Sequence, residues 1–215
     1  MNQPLVSIDV VPFRYNRAAD ALEVILGRRQ FEPSIGSLAL PGVLLLAQER
    51  LGEAVGRALN TKAGLAPRDI ATAGEVGVFD TPGRDPRGPT LSITRFAIID
   101  TDTVGATAEA VPIAEVSGLP FDHDVIIAMA ARRVYEKLFT DREVAEALLG
   151  PEFDTVHAFT AQQQLAAAAE PVGEPLSLAN LARTLTNLGW VEATGELGAS
   201  RGGRRPKVWR FTPSA

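Results

Sequence analysis

Apolar positions crowd into short blocks over the first hundred residues. Residues 5–15 and 21–29 are rich in Val, Ile and Leu, and the polar stretch 16–20 between them predicts a hairpin of two strands. Residues 30–37 carry Pro33 and Gly36 and read as a loop. Leu51, Val55, Leu59 and Ala63 then recur at helical spacing, which puts them on one face of a helix, and Gly64 stands where such a helix stops. Residues 73–79 and 91–100 read as two more strands around a Gly- and Pro-rich loop at 80–89. Residues 101–119, small and polar, read as a link. Residues 122–139 predict a strong helix, capped by Asp122 or its neighbour and closed near Lys137. Residues 141–149 continue helical up to Gly150-Pro151. Mixed strands around one central helix fit an α/β sandwich better than a doubly wound sheet.

The pattern changes after Gly150, and the chain divides there into 1–150 and 151–215. Residues 154–170 begin with extended character and become helical from Thr160, a good N-cap. Ser177 caps a further helix whose Leu178, Leu181, Leu185 and Leu188 predict its buried face. Gly189 ends it. Strands near 190–194 and 207–212 flank a tip rich in Gly and Arg. Two helices and then a hairpin describe a winged helix-turn-helix domain, so the fold class reads as α+β, an α/β/α sandwich followed by that module. Such a tip reaches DNA phosphates with steep salt dependence. The helix would lie in the major groove, where exposed side chains read base edges. The candidates are Ser177, Asn180, Arg183, Thr184 and Asn187 on the helix, and Arg201, Arg204, Arg205 and Lys207 on the tip.

Charge sharpens this division. The formal net charge is −5, but residues 177–215 hold six basic and two acidic side chains, a balance of +4 that leaves −9 for the rest. An acidic body with a basic end suggests two domains with different partners. The absence of cysteine excludes disulfides and thiolate metal sites and is compatible with a cytoplasmic setting. The first residues lack the layout of a signal peptide, and no apolar run approaches the roughly 20 residues of a membrane span. His123 and His157 are isolated from one another in the sequence. His123 reads as a structural or ligand-facing residue near a helix start, and a metal site at His157 is not expected.

Residues 40–65 carry the candidate chemistry. A Pro-Gly turn that feeds a helix is a common way to aim a loop and a helix start at a phosphate. The stretch resembles the signature of the Nudix hydrolase superfamily in degenerate form. With Gly64 and Leu65 as anchors, Glu49, Arg57 and Leu59 match, while Val43 replaces the first glycine and Ala58, Thr61 and Lys62 replace three glutamates. In that family the helix carboxylates hold divalent cations. Mg²⁺ needs several oxygen ligands in near-octahedral order, and the Lys62 ammonium repels it. The resemblance therefore implies a kept pocket and a lost hydrolytic centre, with no catalytic residue, no metal and no required cofactor.

The loop GRDPRGP, residues 83–89, is similar to one found in Nudix proteins that handle ADP-ribose, with Gly83 in place of an Asp. Arg84 and Arg87 suit phosphate oxygens, since guanidinium forks match them. By the same resemblance Arg28 and Arg29 lie at the pocket mouth, Phe31 stacks on a base or simply packs, and Glu49 and Arg57 complete the ligand set. The strings NLARTLTNLGWVEATGE and GRRPKVWRF resemble the C-terminal module of the Nudix-related transcriptional regulators. That family implies a repressor of NAD-metabolism genes, controlled by ADP-ribose or a related nucleotide. It further implies a homodimer on double-stranded DNA with a pseudo-palindromic operator. The alternative is a Nudix pyrophosphohydrolase acting on ADP-ribose-like substrates with an attached regulatory module. A third reading makes the end of the chain a protein-interaction module.

Overall fold

The computed structural model describes residues 3–169, 172–200 and 205–213. Its centre is a long first strand, β1 (Leu5–Asn16), which turns at residues 17–20 into β2 (Ala21–Arg28). The two pair antiparallel, with Phe13 opposite Val24, as the predicted hairpin requires. The run after the loop, expected only as a turn and an apolar stretch, forms two short strands, β3 (Leu38–Ala39) and β4 (Gly42–Leu44). Strands β5 (Ile70–Phe79) and β6 (Thr90–Ile99) follow helix α1 (Leu51–Ala63), and β6 lies parallel to β1.

Residues 101–119 do more than link. They contain β7 (Ala108–Pro112), which pairs antiparallel with β2. The resulting mixed sheet runs β3-β2-β1-β6-β5, with β4 on β1 and β7 on β2.

Alternation along β1 sorts its side chains between two cores. Ile8 and Val10 meet Ala54, Ala58 and Leu59 of α1 on one face. Val11 and Phe13 face the other side, where α2 (His123–Lys137) supplies Ile126, Ala130 and Val134, and α3 (Arg142–Leu149) supplies Val144 and Leu148. The sheet is thus covered by helices on both faces, which is the expected sandwich. Two details differ from the pattern. Residues 141–149 form a helix separate from α2, because the Asp141 carboxylate accepts the Val144 N–H and starts a new cap. Asp122 makes no side-chain cap bond to α2.

The rest of the chain builds a second sheet, β8-β10-β9, from β8 (Glu152–Asp154), β9 (Val191–Leu197) and β10 (Lys207–Phe211). Helix α4 (Thr155–Ala168) starts at Thr155, not Thr160. Its cap is Asp154, whose carboxylate accepts the His157 N–H at 2.9 Å. Helix α5 (Leu178–Asn187) is capped by Ser177 as expected, with Oγ accepting the Asn180 N–H at 3.3 Å. Leu181 and Leu185 are buried, but Leu178 is 44% exposed and Leu188 only partly covered, so the apolar stripe is two residues shorter than predicted. The Trp209 indole N–H donates to Thr155 Oγ1 at 2.9 Å in a buried contact that ties β10 to α4.

The core on the α2 and α3 side of the first sheet continues into the helices of the second. Ala158, Ala161 and Leu165 of α4 belong to the same cluster as Val134 of α2 and Leu181 of α5. Among the described residues no helix is long and apolar enough to cross a membrane.

Candidate functional site

A cleft of about 400 Å³ opens where β1, β2, β4, α1 and the start of α2 meet the loop between β5 and β6. Of the expected ligand residues, Arg28, Arg29, Phe31, Arg57, Arg84 and Arg87 all line it. Their burial and partners differ sharply, so they cannot all do the same work.

Arg84 is the most deeply placed. Its side chain is 5% exposed. Nε and Nη2 donate to the two Asp122 oxygens at 2.8 and 2.7 Å, and Nη2 reaches Asp9 at 3.4 Å. Burial opposes its charge, but the hydrogen bonds and charges of Asp122 and Asp9 outweigh that and hold its pKa above the ordinary arginine value. Asp9 is held further by Ser92 Oγ at 2.6 Å and Ser7 Oγ at 3.2 Å. A Cβ on Gly42 would collide with Asp9 Oδ1, so a larger residue there would displace the carboxylate. The network anchors the loop to the sheet and to α2. Sequence reasoning took Arg84 for a ligand contact and passed over Asp9, although a lone carboxylate inside the apolar run SIDVV signals a buried partner.

His123 closes the same corner. Its Nδ1 accepts the Leu40 N–H at 3.1 Å, and the ring is buried. Burial lowers its pKa, with Arg84 and Arg29 adding to that direction and Asp9 and Asp122 opposing it. The bond to Leu40 fixes the turn between β3 and β4 to the start of α2. Glu49, expected to help bind ligand, does not line the cleft. Its carboxylate receives Arg57 Nε and Nη2, each at 2.7 Å, and the Leu46 N–H at 3.0 Å. The Arg57 hydrogen bond and then the Leu46 backbone bond lower its pKa to about 2. Arg57 in turn donates to the Leu44 carbonyl at 2.8 Å, which pins β4 to α1.

The remaining cations sit nearer solvent. Arg87 pairs with Asp85, Nη2 to Oδ2 at 2.6 Å, and that hydrogen bond holds the carboxyl below its ordinary value. Arg28 pairs with Glu109 and donates to the Gly36 carbonyl. Among the described residues Arg29 has no carboxylate within ion-pairing distance. Its Nε donates to the Pro33 carbonyl at 2.7 Å, and its guanidinium carbon lies 4.8 Å from the Phe121 ring centre. Burial, and then the charge of Arg87, lower its pKa. Phe31 is 69% exposed at the rim, a free flat face. Lys62 and Thr61, neither proposed as ligand residues from the sequence, also line the cleft. The arrangement suits a polyanion with a planar group.

The candidate DNA-contacting residues lie at the other module. Asn180, Arg183 and Asn187 are exposed on α5, and Thr184 is partly covered. Ser177 is spent on its cap. Arg205 donates from Nε to the Gly198 carbonyl and from Nη2 to the Leu197 carbonyl, both at 2.8 Å, and so braces the hairpin stem. Lys207 is exposed on β10 opposite Leu197. Arg201 and Arg204 lie outside the described residues.

No family model matches the chain. The ADP-ribose pyrophosphatase of Methanocaldococcus jannaschii is 30% identical over 133 residues, which cover 58% of this chain and 71% of that protein. Among solved structures, NrtR of Shewanella oneidensis complexed with a 27mer DNA superposes with a TM-score of 0.71 at 21% identity, over 96% of this chain and 93% of that one. The NUDIX domain of the same protein complexed with ADP ribose gives 0.56 at 25% identity, over 62% and 90%. A MutT/nudix family protein from Enterococcus faecalis gives 0.69 at 22% identity, over 99% and 88%.

Proposed function

The chain belongs to the Nudix family, and from that premise we propose that it is a DNA-binding transcriptional regulator that reads ADP-ribose or a related nucleotide. Residues 1–150 form the effector domain and 151–215 a winged helix. The observation that carries this reading is one chain holding both a cation-lined cleft and a capped helix with a polar outer face. Asn180, Arg183 and Asn187 on that face are free to meet base edges, with Arg201, Arg204, Arg205 and Lys207 on phosphates. The protein acts as a homodimer on a pseudo-palindromic operator and represses genes of NAD metabolism.

The coupling runs through α4. This helix shares its core with α2, whose first residue, His123, lines the cleft, and with α5. A ligand shifts DNA affinity only through different affinity for the two arrangements. In this reading Arg28, Arg29, Phe31 and Arg87 touch the effector, while Glu49, Arg57 and Arg84 hold the walls.

The test is fluorescence anisotropy on DNA from the protein's own promoter region, with and without ADP-ribose, with nucleotide turnover followed in the same tube under Mg²⁺. Tight, salt-sensitive binding released by ADP-ribose without turnover is the expected result. A second reading, a pyrophosphohydrolase, draws on the 30% identity to an ADP-ribose pyrophosphatase. Rapid ADP-ribose cleavage without DNA binding would establish it and refute the regulator.

A further inference from the structure

The divalent cation that the fold family implies does not fit the residues present. Where the resemblance places three metal-binding carboxylates stand Ala58, Thr61 and Lys62. Ala58 is fully buried in the core beneath α1. Thr61 gives its hydroxyl to the Arg57 carbonyl at 2.7 Å. Glu49, the retained carboxylate, is taken up by Arg57. Among the described residues no group of three His, Cys, Asp or Glu side chains is placed to hold a metal ion, and Mg²⁺ needs such an oxygen set.

Positive charge is nonetheless in surplus in the cleft. Arg28, Arg57, Arg84 and Arg87 each face a carboxylate within ion-pairing distance. Among the described residues Arg29 and Lys62 do not. Arg29 is satisfied only by backbone carbonyls and an aromatic ring. Lys62 is exposed and lines the cleft. It sits in the last turn of α1, where the helix carbonyls carry partial negative charge and repel an anion that no cation shields. Both cations line the same cleft. A Cβ on Gly27 would collide with the Lys62 carbonyl oxygen, so β2 passes directly against the end of α1.

We propose that the cleft takes the diphosphate of its ligand without a divalent cation, the Lys62 ammonium and the Arg29 guanidinium supplying the countercharge directly. The choice of ADP-ribose as that ligand rests on the reading above; the cation pair does not. An ammonium has three donors for phosphate oxygens, and unlike a bound metal it does not lower the pKa of a water that would attack the diphosphate. The ligand is bound and released intact.

Calorimetric titration of the full chain tests this, with ADP-ribose, inorganic pyrophosphate and adenosine as probes, each in EDTA and in Mg²⁺. Wild-type protein binds ADP-ribose equally well in both. Lys62→Met weakens ADP-ribose and pyrophosphate by about 10- to 100-fold, the range of a hydrogen bond to a charged group, and leaves adenosine unchanged. Lys62→Glu weakens them further in EDTA. Thermal melting of each variant within the wild-type range keeps misfolding apart from lost contact. Binding that disappears in EDTA, or that Lys62→Met leaves unchanged, overturns the proposal while the regulator reading stands. Pyrophosphate bound through Lys62 without any affinity for ADP-ribose supports the cation pair and refutes the effector assignment. No binding of either phosphate probe overturns both.

Discussion

Replacing Arg84 with methionine removes the cation between Asp9 and Asp122 while keeping most of the side-chain volume. The side chains of Arg84, Asp9 and Asp122 are 5, 10 and 16% exposed. Removing one partner of a buried ion pair leaves an uncompensated charge and costs about 3–5 kcal/mol. The low end applies here, because Ser92 still donates to Asp9 at 2.6 Å and Asp122 keeps some contact with solvent. A chain of this size loses about 2–4 °C in Tm per kcal/mol. A cost of about 3 kcal/mol therefore lowers Tm by about 6–12 °C. Circular dichroism melts of wild type, Arg84→Met and the double variant Arg84→Met/Asp122→Asn measure it. The double variant recovers part of the loss, since it also removes one stranded charge. The reasoning fails if Arg84→Met melts with wild type yet loses affinity for ADP-ribose. That pair of results would make Arg84 a ligand contact, as the loop motif alone suggests, rather than the anchor of the loop.

Two further outcomes follow from buried polar contacts. His123 has its pKa lowered by burial, so below the ordinary value of 6.5 the unfolded chain takes up a proton that the folded one refuses. Its contribution is intact above 6.5 and declines below it, by at most about 1.4 kcal/mol per pH unit for one proton; His123→Asn, which retains an acceptor for the Leu40 N–H, flattens Tm between pH 7.5 and 5, and an unchanged profile would show that another group carries the acid sensitivity. Thr155→Val strands the buried Trp209 indole N–H, which now donates to Thr155 Oγ1 at 2.9 Å. Its cost is about 1–3 kcal/mol, read as a lower Tm, and a melt identical to wild type would mean that this bond does not hold β10 on α4.

Much of the local structure was legible because it depends on nearest neighbours along the chain. The apolar spacing of Leu51, Val55 and Leu59 and the stop at Gly64 define α1, and Gly64 does adopt a left-handed φ of 68° at its C-cap. Ser177 starts α5 by a bond to an N–H three residues away. The hairpin of β1 and β2 needs only two apolar runs and a polar turn.

What the neighbours do not carry, the pattern missed. Residues 155–159 include Thr155, Val156 and Phe159 and read as extended, but Asp154 caps them and α4 buries Ala158 against the rest of the core. The five residues of β7 show no clear alternation, and only the open edge of β2 makes them a strand. The cleft shows the same division. Its cations were visible as residue types, and their departures from a metal-binding helix could be counted. Which of them are free could not, because charge compensation acts through space. Asp122 lies 38 residues from Arg84, and Asp9 lies 75 from it. Folding spends Arg57 and Arg84 on carboxylates that hold the walls, pairs Arg28 and Arg87 at the exposed rim, and among the described residues leaves Arg29 and Lys62 without a carboxylate partner.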